Sequence, residues 1–144
     1  MLRIILSQRL IFQIAAVSLF LCTGCGGERL YPITLTFTHA DGSPVTGGTV
    51  TLRNTENPEV FGGGVIGSDG VCKPVLRGRE NPGLPAGTYQ LGVNELPTPD
   101  LDAPRRPPMF ARRYSNPSAS GLTAKIDGSV TSPIRFVLEN EPIK

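Results

Sequence analysis

The stretch Ile33-Thr34-Leu35-Thr36-Phe37-Thr38 alternates apolar and polar side chains without interruption. Successive side chains of an extended strand point to opposite faces, so Ile33, Leu35 and Phe37 share one face and the threonines share the other. A strand of this kind packs its apolar face into a core and turns its polar face toward water. The stretch, with His39 at its end, therefore predicts a half-buried β-strand.

Runs of the same kind recur along the chain between turns that are rich in glycine and proline, of which the sequence has 17 and 14. The further predicted strands are residues 48–53, 63–67, 71–76, the part of 83–93 that follows the turn Pro85-Ala86-Gly87, 122–126 and 134–138. Their inward positions include Val50, Leu52, Tyr89, Leu91 and Val93. Seven short strands with alternating faces predict an all-β fold, in which two antiparallel sheets pack as a sandwich.

The third and fourth predicted strands flank Ser68-Asp69-Gly70, which indicates a hairpin. Pro74 has no N–H to donate, so it places residues 71–76 at a sheet edge or a bulge. Cys72 lies in an apolar run, which predicts a buried and unreactive thiol. A Cys25–Cys72 disulfide remains the alternative if no lipid is attached to Cys25.

Residues 1–24 have the composition of a secretory signal peptide. They carry two basic residues, Arg3 and Arg9, and no acidic residue; residues 10–22 are largely apolar, and small residues follow. The apolar run is shorter than the roughly 20 residues that a membrane-spanning helix needs. We expect a signal helix that is cleaved, with an uncleaved anchor as the alternative.

The end of this leader resembles the lipobox of bacterial lipoproteins. Gly24 and Cys25 match the pattern, and Thr23 fits the small residue before them, whereas Cys22 stands where the pattern usually has an aliphatic residue. The resemblance implies that the Cys25 sulfur receives a diacylglyceryl group. Residues 25–32 would then form a tether between the lipid and the folded domain.

The C-x-x-C spacing of Cys22 and Cys25 also occurs in redox pairs and in zinc sites. A redox pair normally begins a helix that follows a strand, and here no strand precedes it. A zinc site needs four ligands, but the chain has only three cysteines and one histidine. Lipid attachment is therefore the interpretation that the spacing favours, followed by cleavage without a lipid.

The charge of the mature chain is balanced. Of the 14 lysines and arginines two lie in the leader, which leaves 12 to match the 12 acidic residues. This balance argues against a nucleic-acid binder. Residues 25–144 are enough for one domain, predicted over residues 33–140.

Several segments of this domain resemble the transthyretin-like, carboxypeptidase-regulatory-like domain of small bacterial lipoproteins. They are Asp41-Gly42-Ser43-Pro44-Val45-Thr46-Gly47-Gly48-Thr49-Val50, Asp69-Gly70, Leu84-Pro85-Ala86-Gly87-Thr88-Tyr89-Gln90-Leu91, and Tyr114 and Pro117 before Ser120-Gly121-Leu122-Thr123. The resemblance covers about residues 30–140. It implies a seven-stranded Greek-key sandwich that serves as a structural or binding module and has no catalytic residue.

Other residues give little reason to expect an enzyme or a cofactor. His39 is the only histidine and no Gly-x-Ser-x-Gly elbow is present, so neither a shared metal nor a catalytic triad is indicated. We expect His39 to be a solvated residue beside a turn. The aspartates at 41, 69, 100 and 102 match no EF-hand and are expected to be turn and loop residues. A hydrolase on the same sandwich is the alternative function.

A Pro- and Arg-rich loop over residues 97–113 is the predicted partner-binding segment. Five prolines keep it extended, and its arginines flank Met109 and Phe110. Arginines bind planar anions and aromatic side chains are frequent at interfaces. The candidate residues are Arg105, Arg106, Phe110, Arg112 and Arg113. The alternative is a long crossover between the two sheets, in which Phe110 and Tyr114 fold back onto the core and the arginines are solvated.

These observations predict an exported lipoprotein of the cell envelope that binds an envelope protein or a polysaccharide through the loop 54–62, the loop 97–113 or a sheet edge. An acylated cysteine of this class carries more than one chain, which is enough for stable anchoring. Gly26 after Cys25 is not the aspartate that retains some lipoproteins at the inner membrane, so the outer membrane is favoured.

Overall fold

The structure is a computed structural model, and it describes residues 28–97, 107–129 and 133–140. The predicted signal helix and Cys25 lie outside these residues. The strands in chain order are β1 Leu35–His39, β2 Thr49–Asn54, β3 Phe61–Val65, β4 Val71–Cys72, β5 Val75–Leu76, β6 Gly87–Asn94, β7 Thr123–Ile126 and β8 Ile134–Leu138. A single turn of 3-10 helix, Arg112–Ser115, precedes β7. The described part of the chain is therefore almost entirely β, as predicted.

The strands form two sheets. The smaller sheet has the order β4-β1-β8, and the larger has the order β5-β3-β2-β6-β7. All neighbours are antiparallel except β1 and β8, which are parallel and place Phe37 opposite Phe136. The prediction of a purely antiparallel fold is wrong at this pair. Parallel neighbours need a long connection, and here β1 and β8 are joined by almost the whole domain.

Residues 71–76 are two strands, not the single predicted one. β4 pairs with β1 in the smaller sheet, while β5 pairs with β3 in the larger sheet, so the chain crosses between the sheets at Lys73 and Pro74. Pro74 has no N–H to continue a ladder, which explains why the strand breaks there. Both β4 and β5 are edge strands, which confirms the position that Pro74 predicted. The predicted hairpin around Ser68-Asp69-Gly70 is therefore wrong for β4, which pairs with β1; only β5, farther along the chain, pairs with β3. The described residues contain eight strands, whereas seven were predicted.

One hydrophobic core receives side chains from both sheets, an arrangement consistent with a β-sandwich. The predicted inward residues are buried: Ile33, Leu35, Phe37, Val50, Leu52, Tyr89, Leu91 and Val93 are all at most 4 % exposed. The rings of Phe37 and Phe136 stack with centroids 5.4 Å apart. The two-residue periodicity therefore identified the core correctly.

The third strand begins two residues earlier than predicted and contains three consecutive glycines. A Cβ on Gly62 would lie 2.5 Å from the Val75 carbonyl oxygen, and a Cβ on Gly64 would lie 2.7 Å from the Cys72 sulfur. A side chain at Gly62 would collide with β5, and one at Gly64 would collide with Cys72 of β4. Glycine is weak in isolated strands, but here it permits a close approach of neighbouring backbone.

The domain has two distinct ends, which β6 connects. The chain enters beside the start of β6, where the Tyr31 N–H donates to the Leu84 carbonyl at 2.8 Å. We call this the entry end. β6 runs from Gly87 at the entry end to Asn94 at the other, which we call the distal end. Eight strand residues at about 3.4 Å each separate the two ends by about 25 Å.

Candidate binding groove

A groove of about 890 Å³ opens at the distal end of the larger sheet. We call it the distal groove. It is lined by residues 46–47, 93–96, 107–110, 112 and 115. These residues come from the turn before β2, from the end of β6 and its continuation, and from the segment that leads into the 3-10 helix. A concavity of this volume falls within the range of sites that bind small molecules or short chain segments.

A hydrogen bond joins two walls of the distal groove. The Met109 N–H donates to the Glu95 carboxylate oxygen Oε1 at 2.5 Å. Val93 and Phe110 are buried, at 0 % and 4 % exposure, and form the base. Leu96 on the rim is 49 % exposed, although it is a large apolar side chain. The groove thus has a buried apolar base, and its exposed lining combines Leu96 with polar residues such as Thr46 and Arg112.

The segment after the groove is attached to the end of β8. The Ala111 N–H donates to the Glu139 carbonyl at 2.9 Å, and the Glu139 N–H donates to the Tyr114 hydroxyl at 3.2 Å. The Phe110 and Tyr114 rings meet edge to face at 6.4 Å. Both side chains are at most 4 % exposed. Phe110 and Tyr114 therefore fold back onto the core, as the alternative interpretation expected. The loop itself is not a crossover between sheets, because β6 and β7 are neighbours in the larger sheet.

Burial of Phe110 corrects the expectation that its side chain is presented to a partner at the surface. The two-residue alternation of a strand does not apply to an irregular loop, so the sequence did not indicate whether the Phe110 side chain points to the core or to the surface. In the structure the ring contributes to the core, where burying a phenylalanine is favourable by roughly 1.5–3 kcal/mol. Phe110 forms part of the base of the groove.

The candidate arginines do not form one cluster in the described residues. Arg113 donates to the Glu139 carboxylate at 2.8 Å and to the Tyr114 hydroxyl at 3.0 Å, and its guanidinium lies 4.9 Å from the Tyr114 ring centroid. The hydrogen bond to Tyr114, followed by that to Glu139, raises the pKa of Arg113. Arg112 is exposed and lines the distal groove. Arg105 and Arg106 lie outside the described residues.

His39 differs from the solvated residue that was predicted. It ends β1 and is half-buried, and its Nδ1 atom is buried without a hydrogen-bond partner among the described residues. The strand pairing explains the burial, because β8 lies alongside and places Leu138 opposite His39.

The aspartates at 41 and 69 are turn residues, as predicted. Asp41 accepts hydrogen bonds from the Ser43 hydroxyl at 2.6 Å and the Ser43 N–H at 2.9 Å, and these bonds lower the pKa of Asp41. Asp69 accepts a hydrogen bond from the Val71 N–H at 3.1 Å. The aspartates at 100 and 102 are outside the described residues. Within the described ranges, no three metal-ligating side chains come together.

Cys72 is the buried thiol that the sequence predicted. It is 1 % exposed and unpaired, and burial raises its pKa to about 11. A thiol that is buried and protonated at neutral pH is a poor nucleophile. Its role is therefore to fill the core beside Gly64.

The sequence did not predict the part of the distal groove that residues 46–47 and 93–96 form, because it indicated only a turn and the end of a strand there. Leu96 gave the available signal, as an apolar residue that follows a strand and is succeeded by Pro97. The predicted loop 54–62, the other candidate partner-binding loop, is shorter in the structure, because β2 ends at Asn54 and β3 begins at Phe61; it lies at the entry end.

Comparison with known protein families and with curated protein sequences finds no match to this chain. In residues 28–97, 107–129 and 133–140, no helix is long and apolar enough to cross a membrane.

Proposed function

We propose that this protein is a lipid-anchored lipoprotein of the cell envelope, with the outer membrane favoured. The support is the leader in residues 1–24 together with the lipobox-like sequence that ends at Cys25. In this proposal the residues between Cys25 and Tyr31 tether a transthyretin-like Greek-key sandwich to the lipid; the tether is shorter than the predicted 25–32, because Tyr31 already pairs with Leu84. The two sheets and their shared core agree with such a sandwich.

The proposed activity of the domain is binding, not catalysis, with an envelope protein or a polysaccharide as the partner. The distal groove is the observation that carries this proposal, because it combines a cavity of about 890 Å³ with a buried apolar base and an exposed apolar side chain, Leu96. The Glu95 carboxylate in the groove is engaged by the Met109 N–H, which gives it a structural role.

Replacement of the proposed lipid-bearing cysteine tests the anchoring. Cys25→Ser is expected to move the protein from the membrane fraction to the soluble fraction and to abolish the lipid mass on the mature N-terminus. Cys22→Ser is the matched control, since it alters the other leader cysteine, and it should leave both unchanged. Retention of Cys25→Ser in membranes, with the leader still attached, would establish an uncleaved anchor and refute the proposal.

A further inference from the structure

The outer face of the larger sheet carries a line of side chains that runs across the sheet from the end of β5 to β7. Cross-strand partners point to the same face of a sheet. The register of β3, β2, β6 and β7 places four outward residues in line: Phe61, Arg53, Gln90 and Thr123. Arg77 extends the line after β5, because its N–H donates to the Phe61 carbonyl at 3.0 Å. We call these five residues the arginine row.

The strands of this face contain no acidic residue. β2, β3, β5, β6 and β7 hold two bases, Arg53 and Lys125, and neither aspartate nor glutamate. Lys125 is engaged by Asp127 at 3.8 Å, whereas Arg53 and Arg77 are exposed and form no ion pair with another described residue. The acids of the adjoining loops are exposed and pair with neither arginine: Glu56, Glu59 and Glu80. Two guanidinium groups on this face therefore remain available to an anionic partner.

The aromatic residue of the arginine row fixes one of the two guanidinium groups. The Arg77 guanidinium lies 4.8 Å from the centroid of the Phe61 ring, within the range of a cation–π contact. An arginine that is held in place loses less side-chain entropy when it binds a ligand. Arg77 is thus prepared for an anion.

Next to the arginine row the face of the sheet is low. The neighbouring line contains Gly63 of β3, Thr51 of β2 and Gly92 of β6. A Cβ on Gly92 would lie 2.9 Å from Pro117, so the proline ring covers this glycine and bounds the line at β6. Between Pro117 and the arginine row no side chain larger than Thr51 rises from the line. The result is a shallow trough that crosses the strands, with the arginine row along one side.

The position of the trough favours a sugar chain over a polypeptide. β2 is paired with β3 on one side and with β6 on the other, so its backbone groups are used within the sheet and cannot pair with an added strand. A ligand meets only side chains there: two guanidinium groups, the Gln90 amide and the Thr51 hydroxyl. Amides and hydroxyls both donate and accept hydrogen bonds, as sugar hydroxyls require, and arginines bind carboxylates in a bidentate manner.

We propose that the arginine row on the outer face of the larger sheet binds a polysaccharide that carries carboxylate groups. Arg53 and Arg77 bind the carboxylates, and Gln90 and Thr51 bind the hydroxyl groups. The proposal rests on the binding function proposed above and names the class of polysaccharide. It uses a surface separate from the distal groove, whose lining includes none of these residues.

Calorimetric titration of the purified full-length protein with three polymers tests the partner class. The probes are polygalacturonate, which has a carboxylate on every sugar, neutral dextran, and poly-L-glutamate, an acidic polypeptide. Polygalacturonate should bind, and its affinity should fall as salt is added, because exposed charges are screened. Dextran should not bind, and poly-L-glutamate should bind at least about tenfold more weakly than polygalacturonate. Equal binding of poly-L-glutamate, binding of dextran, or no binding of polygalacturonate would overturn the proposal.

Matched arginine variants test the location. Arg53→Ser and Arg77→Ser each remove a charged hydrogen-bond donor and should weaken polygalacturonate binding by at least about tenfold. Phe61→Leu releases the Arg77 guanidinium and should weaken binding by about two- to fivefold. Arg135→Ser is the control, because Arg135 is also exposed on a strand but belongs to the smaller sheet, and binding should be unchanged. An equal loss in Arg135→Ser, or no loss in Arg53→Ser, would overturn the location.

Two further comparisons separate this proposal from its alternatives. Loss of polygalacturonate binding in Leu96→Asp, with full binding in Arg53→Ser, would place the polysaccharide in the distal groove, so that the binding function would stand and this inference would fail. Asp100→Asn combined with Asp102→Asn, at positions outside the described residues, should leave the affinity unchanged. A rise in affinity in this double variant would mean that carboxylates of the chain itself occupy the arginines, and it would overturn the assignment of a free surface.

Discussion

The parallel pairing of β1 with β8 predicts an energetic coupling between two aromatic side chains that are far apart in sequence. Phe37 is 0 % exposed and Phe136 is 9 % exposed, and their rings stack at 5.4 Å with an angle of 20° between their planes. Stacked aromatic pairs contribute about 0.5–1.5 kcal/mol beyond the area that they bury. We expect Phe37→Leu and Phe136→Leu each to lower the free energy of unfolding by about 1–1.5 kcal/mol. Because both single variants lose the same stacking, the double variant should lose less than the sum, by about 0.5–1 kcal/mol.

Urea unfolding of the unlipidated Cys25→Ser protein measures this coupling, since a single domain usually unfolds in one transition whose free energy varies linearly with denaturant. Leucine keeps most of the ring volume, so all variants should remain folded against a typical stability of about 5–15 kcal/mol. The control cycle combines Phe37→Leu with Val65→Ala, which is exposed in the larger sheet, and should be additive within about 0.5 kcal/mol. Additivity of the two phenylalanine variants would mean that the rings do not meet and would refute the pairing of β1 with β8.

Two further predictions concern buried positions. Gly62→Ala should lower the free energy of unfolding by about 1–3 kcal/mol, because its Cβ would lie 2.5 Å from the Val75 carbonyl oxygen. Gly128→Ala is the control: its Cβ would meet Tyr31 at an ordinary 3.4 Å, so the free energy of unfolding should change by less than about 0.5 kcal/mol. Equal effects of the two variants in urea titrations would contradict the close approach of Gly62 to Val75. Burial raises the pKa of the Cys72 thiol from an ordinary 9.0 to about 11. Between pH 9 and 11 the unfolded chain therefore loses the thiol proton while the folded chain keeps it, so the contribution of the buried thiol to stability is complete below pH 9 and is lost across this range. The urea midpoint should fall in that window, and iodoacetamide at pH 8 should label Cys72 only after unfolding, as mass spectrometry would show.

Two-residue periodicity predicted the core well because it reports which face of a strand is buried. It does not report which strands are neighbours. The alternation in Ile33–Phe37 is the same whether β1 pairs with a parallel or an antiparallel partner, so nothing local in the sequence indicated β8. The sequence predicted only part of what happens at Pro74. Its missing N–H predicted an edge strand, but it did not indicate that the residues before the proline join the edge of one sheet and those after it join the edge of the other.

The distal groove could not be predicted from local patterns, because its walls come together only when three separate segments fold. The loop 97–113 did carry a readable signal, an isolated aromatic residue in a polar stretch. That signal is compatible with a core contact or with an exposed anchor. Tertiary contacts favour the core contact: the Ala111 N–H donates to the Glu139 carbonyl, and the Tyr114 hydroxyl accepts a hydrogen bond from the Glu139 N–H. These bonds hold the segment against the end of β8, with the Phe110 side chain buried.

β6, which contributes three buried side chains to the core, also fixes the distance between the distal groove and the entry end. Tyr89, Leu91 and Val93 on β6 are all 0 % exposed, and the Tyr89 hydroxyl donates to the Pro85 carbonyl at 3.0 Å near the entry end. A strand buried at three successive inward positions does not bend without opening the core. In the proposed lipoprotein, lengthening the segment between Cys25 and Glu28 should therefore leave unchanged the distance between a dye on Thr46→Cys, before β2, and a dye on Glu56→Cys, after β2, as energy transfer between the two dyes would show.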